Sequence, residues 1–131
     1  MSKDKYVAKI LIAEDEKALN DAYVMILKRA GFTVKSALDG AEALKITKTY
    51  EPDVILLDLR MPEMGGIDFL KAYKLPELHP AVKVIIFSNL DMQKEIDEAF
   101  ALGASKYMLK SWASPSELVK MIEAQLQKIS G

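Results

Sequence analysis

Apolar runs of strand length recur along the chain at regular intervals: KILIA (9–13), TVKSA (33–37), DVILLD (53–58), VKVIIFS (82–88) and KYMLK (106–110). Three of them are rich in Val, Ile and Leu without strict alternation, as in strands covered on both faces. Helical periodicity fills the gaps. Leu19, Ala22, Tyr23, Ile26, Leu27 and Ala30 follow i, i+3, i+4, i+7 spacing, and Gly31 then supplies a left-handed stop. DGAEAL (39–44) opens a second helix and GGIDFLKAY (65–73) a third. Ile96, Ala99 and Phe100 mark a fourth before Gly103. The fifth opens with Ser114 as N-cap, Pro115 in the first turn and Glu117 at the capping-box position; its stripe is Leu118, Met121, Ile122 and Ile129, with Leu126 alongside. Strand–helix units repeated five times predict a parallel sheet with right-handed crossovers, an α/β three-layer sandwich.

Such sheets bind ligands at the carboxyl ends of their strands, near the point where strand order reverses. Glu14 and Asp15 follow the first strand, Asp58 ends the third, Ser88 the fourth and Lys110 the fifth. Each is the first polar group after an apolar run. Three acids against one ammonium leave about two negative charges uncompensated in a partly desolvated cleft. Acids in a first helical turn are commonly there for the dipole alone, so EDE (14–16) by itself decides little. Five chemistry-bearing groups at the right edges of one fold are more specific. All-oxygen donors without His or Cys, too few for a complete cage, favour Mg²⁺, which keeps waters and accepts phosphate oxygens.

The segments ILIAEDE, DVILLDLRMPEMGG, VIIFS and KYMLKS resemble the receiver domain of bacterial two-component response regulators, of the single-domain chemotaxis type. The resemblance covers essentially the whole chain, 1–131, with residues 1–7 expected as a loose N-terminal segment. It implies a flavodoxin-like (βα)5 fold with sheet order 2-1-3-4-5. It also implies a phosphorylation-dependent switch: Asp58 accepts a phosphoryl group from a histidine kinase or histidine phosphotransfer protein. Mg²⁺ would be held by Glu14, Asp15, Asp58 and the backbone carbonyl of Arg60, with Glu14 acting through water. Lys110 would pair with a phosphoryl oxygen. Ser88 and Tyr107 match the hydroxyl and aromatic switch positions, and Arg60 and Leu90 the two variable positions that tune attack by water. The output face would be helix four, strand five and helix five, with Trp112 nearby. Its partner would be a downstream effector protein or a detached output domain, and homodimerisation through it stays open. The module would catalyse its own phosphoryl transfer and slow dephosphorylation without being a turnover enzyme.

Two departures stand out. Glu14 takes a place where the family commonly has aspartate, and Ser111 follows Lys110 where the family usually has proline after a cis peptide. A cis bond before a non-proline costs about 3 kcal/mol, which leaves the isomer of that peptide open and places a shifted loop beside Lys110. A haloacid-dehalogenase-like phosphatase would want an acid two residues after its nucleophile, where Arg60 stands. A flavodoxin-like cofactor binder would need a neutral phosphate-cradling loop in place of AEDE. The remaining alternative is a non-phosphorylated pseudo-receiver acting as an interaction module, which usually loses part of the acid set or the lysine.

Composition narrows the partners. At 131 residues and half hydrophobic, the chain can bury one domain core. A net charge of -1, with acids and bases mixed, gives no footprint for nucleic acid or an acidic membrane. There is no cysteine, hence no thiolate site or disulfide. The polar start MSKDKYVAK is no signal peptide, and no apolar run approaches the roughly 18 residues of a spanning helix. A cytoplasmic protein is expected. The chain ends about where the fifth helix should, compatible with a stand-alone regulator or a receiver cut from a longer protein. His79, ahead of strand four, is expected as a loop residue remote from the active edge.

Overall fold

The computed structural model describes residues 7–89, 92–110 and 114–130, the last three as backbone only. Leu90, Ser111 and Trp112, the side chain of Ile129, the Lys110–Ser111 peptide and residues 1–6 of the N-terminal segment lie outside the described residues.

The strands are β1 (Lys9–Ala13), β2 (Thr33–Ala37), β3 (Val54–Asp58), β4 (Lys83–Ser88) and β5 (Lys106–Leu109). All pair in parallel, in the order β2-β1-β3-β4-β5. The helices are α1 (Lys17–Arg29), α2 (Gly40–Thr47), α3 (Gly66–Tyr73), α4 (Leu75–Leu78), α5 (Gln93–Ala101) and α6 (Pro115–Ser130). The expected flavodoxin-like (βα)5 sandwich is the observed fold. The fourth and fifth helices of the sequence pattern are α5 and α6, because a single extra turn, α4, follows α3.

Side chains alternate across the sheet and build two cores. Leu11, Ala13, Ile55, Leu57, Val84 and Ile86 face α2, α3 and α5, packing with Phe69, Leu70 and Ile96. Ile10, Ile12, Val54, Leu56, Ile85 and Phe87 face α1 and α6, packing with Tyr23, Leu27, Leu118 and Ile122. The central strand β3 is buried at all five positions, and its first four, Val54 to Leu57, read as an unbroken apolar run before Asp58.

The helix ends follow local chemistry. Asp39 caps α2 by accepting the Glu42 amide at 2.8 Å, and Glu42 accepts the Leu38 amide at 2.8 Å. Ser114 caps α6 through the Glu117 amide at 3.2 Å. Gly31 and Gly103 take positive φ, 101° and 108°, as stops after α1 and α5.

Two helix faces differ from the periodic pattern. On α1 the buried positions are Asn20, Tyr23 and Leu27, while Ala22 and Ala30 are exposed. On α5, Ile96 and Ala99 are buried, but Phe100 is 41% exposed. In both cases the helix rests on the sheet along a narrower stripe than spacing suggests. Helix α4 begins after Lys74, which adopts a left-handed φ of 57° although it is not glycine. His79 ends that turn and stacks on Tyr73 with ring centroids 3.9 Å apart.

Candidate functional site

Strand order decides what meets at the carboxyl edge. The chain crosses from β2-β1 to β3-β4-β5 between adjacent β1 and β3, so the residues leaving those two strands are neighbours. Register pairs Ala13 with Leu57, Asp58 with Phe87 and Ser88 with Leu109. Glu14 therefore stands level with Asp58, Ser88 lies one residue further along β4 and Lys110 two residues past that level, just beyond β5, all at the same carboxyl edge.

Glu14 and Asp58 are buried, at 1% and 3% exposure, and Asp15 is exposed. One carboxylate oxygen from each of the three lies within 4.8 Å of the others. Lys110 Nζ sits between the buried pair, 2.8 Å from Asp58 Oδ2 and 3.0 Å from Glu14 Oε1. The first contact is a hydrogen bond. The second is an ion pair to the buried Glu14 Oε1, which has no other hydrogen-bond partner among the described residues.

These contacts shift the titrating groups. Burial is the main effect raising the Asp58 carboxyl above its ordinary 3.8; Lys110 and the Arg60 amide pull it back, and Asp15 raises it further. Burial likewise raises Glu14, opposed by the Glu16 amide at 2.9 Å, while the Asp58 charge adds to the rise. For Lys110, burial acts downward, but the two carboxylates outweigh it and hold the ammonium above the ordinary lysine value. Beneath the acids, Tyr23 stacks on Phe87 at 5.1 Å, and burial followed by the Glu14 charge pushes its hydroxyl up to about 12.

The remaining candidates surround this centre. Ser88 is buried, its Oγ donating to the Asn89 carbonyl at a long 3.3 Å. Tyr107, on β5, is half-buried against the core that faces α2, α3 and α5. The Arg60 amide approaches Asp58 Oδ1 at 3.4 Å, while its guanidinium turns outward to Glu95 Oε2 at 3.3 Å. Gly66 lets α3 start directly behind the site: a Cβ there would stand 2.7 Å from the Asp58 carbonyl oxygen. His79 lies in the loop between α4 and β4, as expected, apart from the acids.

Sequence reasoning missed Asn20. It is 1% exposed, and its Nδ2 donates to the carbonyls of Glu14 at 3.0 Å and Ala37 at 2.9 Å. It thus ties the loop that carries Glu14 and Asp15 to the end of β2. The available signal was its place in the buried stripe of α1, three residues before Tyr23 and seven before Leu27, where a polar side chain needs a reason.

The donor set fits a hard divalent cation. All donors are oxygens, Glu14 carries a buried oxygen with no partner but Lys110 among the described residues, and exposed Asp15 leaves one side open for water ligands. Such an ion would also offset the excess negative charge that Lys110 alone leaves.

Comparison with known proteins agrees with this geometry. The sequence model of the response regulator receiver domain matches residues 10–123. The chemotaxis protein CheY of Thermotoga maritima is 31% identical over 115 residues, covering 87% of this chain and 93% of that protein. The cell cycle transcriptional regulator CtrA of Caulobacter vibrioides is 32% identical over 94% of this chain but only 52% of its own length. The chain thus spans about half the length of several regulators it matches, CtrA and Bacillus subtilis PhoP among them. A CheY-like receiver domain from Methanospirillum hungatei superimposes with a TM-score of 0.87 at 27% identity, covering 95% of this chain and 98% of that one.

Proposed function

Because this chain belongs to the response regulator receiver family, a family of signalling modules and not turnover enzymes, we propose that it is a phosphorylation-dependent switch with Asp58 as phosphoacceptor. The supporting observation is the buried Asp58 carboxylate facing Lys110 at 2.8 Å inside a cluster of three acids. An Asp58 oxygen attacks phosphorus, the N–P bond of a donor phosphohistidine breaks, and the imidazole nitrogen departs with the electron pair. An acyl phosphate remains. Glu14, Asp15, Asp58 and the Arg60 carbonyl would hold Mg²⁺, which when bound supplies charge neutralisation on the phosphoryl oxygens. Lys110 exchanges its carboxylate contact for a phosphoryl oxygen.

Ser88 spends its hydroxyl on a long bond to the Asn89 carbonyl, so turning it toward a phosphoryl oxygen gives up little. That inward turn makes room for Tyr107 to repack, and the α5-β5-α6 face shifts between two populations. Arg60 and Leu90, the latter outside the described residues, are the tuning positions that set the access of water in this reading, with apolar Leu90 slowing autodephosphorylation. The upstream partner is a histidine kinase or phosphotransfer protein, and the downstream one an effector or output domain docking on that face. The setting is cytoplasmic; no helix among the described residues is long and apolar enough to cross a membrane.

Incubation with acetyl phosphate and Mg²⁺, followed by intact mass, tests the reading. A phosphoryl increment is expected on the wild type and absent from Asp58→Asn. Failure of the wild type to gain it would leave a pseudo-receiver that works by binding alone.

A further inference from the structure

Helix α5 is held to the domain by few strong contacts. Only Ile96 and Ala99 among its nine residues are buried, and its N-cap, Met92, offers no side-chain hydrogen bond. Two ion pairs supplement this: Arg60 Nη2 to Glu95 Oε2 and Lys71 Nζ to Glu98 Oε2, each 3.3 Å. They differ in what stands behind them. Lys71 belongs to α3, whereas Arg60 touches the Asp58 carboxylate with its own amide at 3.4 Å. One residue therefore contacts the phosphoacceptor through its backbone and α5 through its side chain.

We infer that Glu95 is a positioning residue for the phosphoryl site: it holds the Arg60 guanidinium on α5, and a phosphoryl group on Asp58 competes with it for that guanidinium. The inference rests on the phosphoryl reading above. A phosphoryl group carries more charge than a carboxylate and accepts the planar guanidinium fork through two oxygens. Glu95 offers one weak contact, with the side chains of Arg60 and Glu95 62% and 37% exposed. Exposed pairs of this kind shift equilibria by roughly 1.4- to 5-fold, weak enough to be exchanged. Linkage makes the competition reciprocal: whatever Glu95 takes from the phosphoryl state, that state takes from the tie to α5.

Equilibrium binding of beryllofluoride, a phosphoryl mimic, in saturating Mg²⁺ measures the effect by calorimetry. Glu95→Gln should tighten binding roughly 1.4- to 5-fold. The same substitution in an Arg60→Met background should change nothing, because the guanidinium in contention is gone. Glu98→Gln is the control: it cuts a tie of equal length on the same helix without releasing Arg60, and should bind as the wild type does. Unchanged affinity in Glu95→Gln overturns the inference. So does an equal gain in Glu98→Gln or in the Arg60→Met background, since either would mean general loosening of α5. Beryllofluoride binding that does not depend on Asp58 would sink the phosphoryl reading itself, a failure visible in the wild type and Asp58→Asn before any Glu95 variant is compared.

Discussion

Replacing Asp58 with Asn should stabilise the protein at neutral pH when divalent cations are chelated. The carboxyl is 3% exposed, and burial lifts its pKa above 3.8 despite the opposing pull of Lys110. At pH 7 its charged form is therefore less favourable in the fold than in the unfolded chain, by about 1.4 kcal/mol for each unit of elevation. The isosteric amide has no charge to desolvate and keeps an oxygen for the ammonium, while Glu14 remains 3.0 Å from Lys110. A gain in unfolding free energy and in Tm follows, its sign fixed by the upward direction of the shift. The sign with pH is fixed by the direction of the shift. An acid raised in the folded state contributes stability below 3.8 and loses it as pH rises through the folded value. The advantage of Asp58→Asn should accordingly be small near pH 4 and grow toward pH 7. Urea unfolding in EDTA at both pH values reads it directly. A variant less stable than wild type at pH 7 would refute the reasoning, because the Lys110 pair would then outweigh the burial of the charge.

Two further substitutions probe the same centre from either side. Lys110→Met removes the cation 2.8 Å from Asp58 and 3.0 Å from Glu14 and leaves two buried carboxylates facing each other. With the lysine side chain 19% exposed, the loss should be about 2–3 kcal/mol at pH 7, below the figure for a fully buried pair. It should shrink as pH falls through the raised carboxyl values; a loss independent of pH in urea melts would argue against a Coulombic origin. Asn20→Ala strips the Glu14 carbonyl of its amide donor, whereas Ala37 keeps the Glu14 N–H at 3.1 Å. Expected is a destabilisation of about 1–3 kcal/mol with several-fold weaker Mg²⁺ binding by calorimetry, and unchanged Mg²⁺ affinity would reduce Asn20 to a purely structural role.

What could be read from the residues alone follows from the physics of a doubly covered parallel sheet. Val54 to Leu57 must all be apolar because both faces are packed, so the strand announces itself, and so does Asp58 as the polar residue that ends it. Once strands and crossovers are known, the gathering of Glu14, Asp58, Ser88 and Lys110 is topology. The parts that were not legible depend on contacts with no local signature. Lys74 turns left-handed to start α4, a conformation that its residue type does not suggest. Ala22 and Phe100 fit a helical period yet face outward, since periodicity gives the phase of a stripe but not its width. Arg60 and Glu95 meet across 35 residues of chain.

The unread contacts share a character that bears on function. The apolar strands bring the acids to one edge, but they do not set how a charged centre is held once it is there. That is done by polar side chains reaching across elements: Asn20 from α1 to the ends of β1 and β2, Lys110 from β5 to β1 and β3, Arg60 from beyond β3 to α5. Of these, Asn20 is buried and spends its amide on backbone carbonyls, so it fixes the loop. Arg60 binds Glu95 through a largely exposed guanidinium, and that partner can be exchanged for another oxygen at little cost; Lys110, 19% exposed between two buried carboxylates, is held more strongly. The acids are thus buried while the guanidinium of Arg60 is exposed, so in the switch proposed above a group that adds negative charge to Asp58 competes first for Arg60.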